Sequence, residues 1–113
     1  MTWYRIQSAE RNVADLLDPA QQVSLSYCTD TERAGVSVCD TREDLAAYIA
    51  ASGIPFDGTW VLVEVDGYYS DDEDEDADAI GSPSLVHPTS IVSVEPIADG
   101  FEDEIFAAFD AAA

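Results

Sequence analysis

Seven carboxylates fall within the eight positions from Asp71 to Asp78, namely Asp71, Asp72, Glu73, Asp74, Glu75, Asp76 and Asp78. Oxygen ligands at that density suggest calcium. An EF-hand loop takes oxygens from positions 1, 3, 5 and 12 and needs glycine at position 6. Counted from Asp72, Asp74 and Asp76 stand third and fifth, but Ala77 stands sixth and Pro83 twelfth. No dedicated metal site is expected, only loose attraction of cations. So many like charges also resist folding onto one another, so residues 70–79 read as a mobile, solvated acidic loop.

Other reactive side chains lack the company that chemistry requires. His87 is the sole histidine and sits beside Pro88, which reads as an exposed turn between strands. The chain holds no G-x-S-x-G, P-loop, G-x-G-x-x-G or H-E-x-x-H, and no serine has the context of an activated nucleophile. Cys28 and Cys39 lack C-x-x-C spacing and default to reduced thiols flanking a hairpin.

Charge narrows the partners. Among 113 residues, 24 acidic side chains face 4 basic ones, for a formal charge of −20. All four basic residues are arginine: Arg5, Arg11, Arg33 and Arg42. Such a surface repels nucleic acid and anionic membranes and attracts basic proteins. DNA-mimicking inhibitors, whose carboxylates follow the spacing of a phosphate backbone, resemble this chain in size and charge. No run near the start reads as a signal peptide, and no stretch reaches the ~20 apolar residues of a membrane span, so a cytoplasmic location is expected.

The elements that must position these groups are legible from periodicity. Thr59–Val65 is nearly continuous apolar sequence between Gly58 and Asp66-Gly67, the pattern of a strand buried on both faces. Val61, Val63 and Val65 share one face, with Trp60, Leu62 and Glu64 on the other. Thr2–Gln7 reads as a first strand, with Tyr4 and Ile6 opposite Trp3 and Arg5. Ser8 is expected to cap a short helix bearing Val13, Leu16 and Leu17 that stops before Pro19. Val23, Leu25 and Tyr27 alternate as a half-buried strand, Thr29–Ala34 reads as a loop, and residues 35–39 as another short strand. Thr41 or Asp40 caps a helix to Ser52, with Leu45 and Ile49 inward and Gly53 as its left-handed stop. Ile54, Pro55 and Phe56 form an apolar loop under the core. Ser84–Val86 and Ile91–Val94 read as two strands split by His87-Pro88. Asp99 caps a last helix, Phe101–Ala112, with Phe101, Ile105 and Phe109 as its stripe.

The order of three segments resembles small ADP-ribosyltransferase-like domains: Trp3-Tyr4-Arg5, then Gly35-Val36-Ser37 through Tyr48, then Ser82-Pro83-Ser84-Leu85-Val86-His87-Pro88. The resemblance implies a split mixed sheet cradling NAD, with Arg5, Ser37, Tyr48 and Ser84 as the cofactor-binding set. In this chain the positions of the family's catalytic glutamate and its acidic neighbour hold Ser84 and Ser82. A neutral hydroxyl cannot stabilise the positive charge that builds on the ribose as the nicotinamide bond breaks.

The sequence therefore predicts one α+β domain over residues 1–113, with a mixed or largely antiparallel sheet of about five strands and two or three helices. The expected function is a non-catalytic acidic interaction protein. Its Asp71–Asp78 carboxylates would engage a basic protein surface, as a nucleic-acid mimic or inhibitor, without cofactor or metal. The alternative is an NAD-binding enzyme of the ADP-ribosyltransferase kind, intact or degenerate.

Overall fold

The apolar run beginning near Thr59 enters an inner strand of the sheet, paired on both sides. The computed structural model of the chain describes residues 1–25, 32–53, 56–74 and 77–112. Strands are β1 Thr2–Gln7, β2 Val23–Leu25, β3 Glu32–Ala34, β4 Val36–Val38, β5 Val61–Tyr69 and β6 Ser84–Pro96. The helices are α1 Arg42–Ser52 and α2 Phe101–Ala112, with 3-10 turns at Val13–Leu17, Pro19–Gln21 and Ile97–Asp99. The chain is thus an α+β domain.

The main sheet runs β1-β5-β6-β4 and is antiparallel at each pairing; β2 and β3 form a separate antiparallel pair. The sheet curls until its two outer strands meet. Tyr4 N donates to Cys39 O and Cys39 N to Tyr4 O, both at 2.9 Å, just past the end of β4. This is not the mixed sheet that the transferase resemblance implies.

Alternation along β5 divides the core as its pattern requires. Leu62 joins Ile6, Cys39, Leu45, Ala46, Ile49, Ile97, Phe101 and Ile105 in one buried cluster, where α1 and α2 cover the sheet. Val63 and Val65 join Trp3, Leu16, Val36, Val38 and Val86 in the other. Two local signals hold α1 in place. Thr41 Oγ1 accepts from Asp44 N at 3.0 Å, and Gly53 ends the helix at φ 68°. Ala46 is buried with Leu45 and Ile49.

Several elements depart from expectation. Asp66-Gly67 does not end β5, and His87-Pro88 does not split β6. Gly67 pairs with Pro88 inside one continuous ladder, with register shifts at Glu64/Val65 and Asp66/Gly67. A Cβ at Gly67 would lie 2.1 Å from His87 O, so only glycine permits this approach. The irregular register absorbs a proline that has no N–H to donate. The segment after Ser8 forms 3-10 turns: Asn12 caps the first, accepting from Ala14 N at 3.0 Å, and Asp18 the second. Glu32–Ala34, read as loop, is a strand. A 3-10 turn and Gly100 precede α2, so Asp99 is not its first-turn cap. Phe101 and Ile105 are buried, but Phe109 emerges from the core. Tyr27, Cys28, Ile54 and Pro55 lie outside the described residues. No helix among the described residues is long and apolar enough to cross a membrane.

Candidate functional site

The first half of the acidic run is stitched to the short strands. Asp72 Oδ2 accepts from Ala34 N at 2.7 Å, and Arg33 Nη1 donates to Glu73 O at 2.6 Å. Ser37 Oγ donates to Asp74 Oδ2 at 2.6 Å, and Asp74 is buried. Asp71, Asp72, Glu73 and Asp78 are exposed, while Glu75 and Asp76 lie outside the described residues. A wholly solvated loop is therefore not what residues 70–74 form. Asp74 is turned inward, its carboxylate accepting from the hydroxyl of β4, unlike its exposed neighbours.

A second site lies against β1 beneath the first 3-10 turns. A pocket of about 140 Å³ is lined by Arg5, Gln7, Arg11, Asn12, Asp15, Leu16, Gln21, Val23, Val36 and Ser37. Arg5 projects from the same face of β1 as Trp3. Its Nε is buried and has no hydrogen-bond partner, as is the Nε2 of Gln7, a residue only 4% exposed. Among the described residues the ion pairs are Met1–Asp66, Arg42–Glu95 and Arg42–Glu104, so Arg5 has no counter-charge. Burial, and then the neighbouring charge of Arg11, pull the Arg5 guanidinium down to about 10, so it stays protonated at neutral pH.

This pocket brings together Arg5 and Ser37 of the set implied by the transferase resemblance. Tyr48 and Ser84 are not in its wall: Tyr48 packs on the helix-covered cluster, and Ser84 pairs with Val38 in the ladder. A cavity of this volume does not enclose a dinucleotide, which is larger than the drug-sized ligands that fill about 300–1,000 Å³.

His87 is a half-buried strand residue rather than an exposed turn residue. Its Nδ1 lies 2.8 Å from Gln22 Oε1, and its ring lies tilted against Tyr68 with centroids 5.2 Å apart. Gln22 Nε2 donates to Leu16 O at 2.8 Å and Pro88 O at 3.0 Å, which leaves its oxygen as acceptor. The network therefore assigns the proton to Nδ1 of His87. This clamp ties β6 to the 3-10 turns that roof the pocket.

On the other side of the molecule, α1 and α2 leave an open groove of about 620 Å³. Ala46, Ala47, Ala50 and Ala51 of α1 face Ala107, Ala108 and Ala111 of α2, with Glu43, Glu104 and Ile80 completing the lining. Gly81 lets the preceding loop press against α1, since a Cβ there would lie 2.5 Å from Asp44 O.

No protein-family model matches the chain, and neither curated proteins nor solved structures provide a match.

Gln7, Arg11 and Gln22 escaped the reading from sequence. An isolated glutamine or arginine carries no spacing signal. The one hint was that two of only four basic residues, Arg5 and Arg11, lie close together in an otherwise acidic chain.

Proposed function

We propose that this chain is an interaction protein rather than an enzyme, and that it docks on a basic protein surface through its exposed carboxylates. The observation that supports this reading most is the placement of its few positive charges. Of the four arginines, all among the described residues, only Arg11 is exposed. Arg42 is held by Glu95 at 2.9 Å and Glu104 at 2.7 Å, and Arg33 by the backbone of Glu73. The outer surface is left with little to offset the 24 acidic side chains of the chain. A field of that sign steers basic partners and repels phosphates. Imitation of a nucleic acid is one form that such binding takes. The alanine-lined groove beside Glu43 adds apolar area for the stem of a basic segment.

The test is capture of basic proteins from the native host at low and high salt. It is repeated with Asp71, Asp72, Glu73 and Asp78 all changed to Lys. The expected result is a specific partner lost at high salt and lost in the variant. Capture that ignores both changes rejects the reading.

A second reading, an NAD-binding transferase-like enzyme, is favoured only by the shared pocket of Arg5 and Ser37. Incubation with NAD and lysate, followed by mass spectrometry, is expected to release no nicotinamide. Turnover abolished by Arg5→Ala would make this second reading the answer.

A further inference from the structure

We propose that the pocket beneath the first 3-10 turns binds a small oxyanion, best matched by the carboxylate of a short monoacid. This goes beyond the basic-partner reading and stands independently of it.

Two polar groups in the wall are donors without acceptors. Arg5 Nε and Gln7 Nε2 are both buried, both line the pocket, and both lack a protein partner. Buried donors of this kind are rare, since leaving one unpaired forfeits its hydration without return. A guanidinium partly withdrawn from water without a counter-charge adds to that cost. Yet the chain has 24 carboxylates from which a partner for Arg5 could have been drawn. Arg11, exposed at the same pocket, adds a second positive charge instead of relieving the first.

The wall also restricts what fits. Asp15 lines the pocket but pairs with neither arginine. With Arg5 and Arg11 it leaves one net positive charge, which one monoanion neutralises. A guanidinium matches a planar carboxylate through two parallel N–H bonds, and the Gln7 amide supplies another donor. Leu16 and Val36 offer apolar contact for a short carbon chain. A pocket of about 140 Å³ suits one small acid.

The experiment uses the full chain, titrated with sodium propionate, acetate, phosphate, chloride and NAD. Ionic strength is held near 0.15 M, so that general screening of the negative surface is common to all arms. Thermal unfolding is followed together with the NMR signals of the Arg5 Nε–H and Gln7 side-chain amide. Propionate is expected to raise the melting temperature saturably above chloride and to shift both signals. Arg11→Gln, a change at an exposed residue, should weaken propionate at least tenfold while leaving the fold intact. The proposal is overturned if no oxyanion exceeds chloride, which would leave water as the occupant. It is equally overturned if Arg11→Gln binds as wild type, if phosphate binds more tightly than propionate, or if NAD alone shifts the two signals.

Discussion

The two faces of the curled sheet are covered in opposite ways. On one, α1 and α2 lay a contiguous apolar cluster over Ile6 and Leu62, with Ile49, Ile97, Phe101 and Ile105 fully buried. On the other, 3-10 turns and the short β2–β3 pair cover the valines of β4 and β5. There Trp3 Nε1, Arg5 Nε, Gln7 Nε2 and Arg33 Nε are buried without partners. A helix of three turns presents a whole apolar stripe and closes over it. A 3-10 turn presents a single residue such as Leu16 and leaves gaps beside it, which polar side chains fill. The helical face therefore closes over its apolar cluster, while the other encloses polar atoms left unpaired.

The largest effects should come from the helical face. Phe101→Ala is expected to cost about 3–5 kcal/mol, measured by chemical denaturation, because the ring is fully buried. Phe109→Ala on the same helix, where the ring is 38% exposed, should cost about 1 kcal/mol or less. Equal losses would mean that the α2 stripe stays buried along its full length and that the contrast within it is false.

On the polar face, Asp74→Ala should cost about 1–3 kcal/mol, because it strands the Ser37 hydroxyl and removes a charged acceptor. Asp78→Ala, at an exposed position, should stay within about 0.5 kcal/mol. Matching small effects would return the whole acidic run to solvent.

Arg5→Met sharpens the comparison further. In chloride buffer without other anions, the variant should be as stable as wild type to within about 1 kcal/mol, or more stable, since a partly buried charge without a counter-charge is exchanged for an apolar chain. A large loss would show that the guanidinium is structural and that both faces are equally optimised.

The smallest effect is a rate at ordinary pH. The Cys39 thiol is buried on the helical face. Burial first, then the charges of Asp44, Asp74 and Asp40, push it up to about 12 from an ordinary 9.0. The folded state thus holds the thiol proton more tightly than the unfolded chain does. That contribution to stability is complete below about pH 9 and is lost as pH rises toward 12. Alkylation at pH 8.5, read by mass spectrometry of the Cys39 peptide, should be slow in the native protein and fast in denaturant. Rapid native labelling would mean that the helical face opens readily.

The features that the residues alone determined are local. Alternation in Thr2–Gln7 and Val61–Val65 assigned their faces, and the Thr41 cap with Gly53 bounded α1, because these signals act between residues two to four apart. The acidity and the scarcity of positive charge were likewise explicit in the residues. Tertiary structure alone decided the rest. It ran β6 through His87-Pro88, because Gly67 on a distant segment allows the close approach that a turn reading of both dipeptides hides. It buried Asp74, because Ser37, 37 positions earlier, meets it. It assembled Arg5, Gln7, Arg11 and Ser37 around one cavity by curling the sheet until β1 met the end of β4. Such encounters depend on long-range closure of the sheet, and no spacing along the chain encodes them.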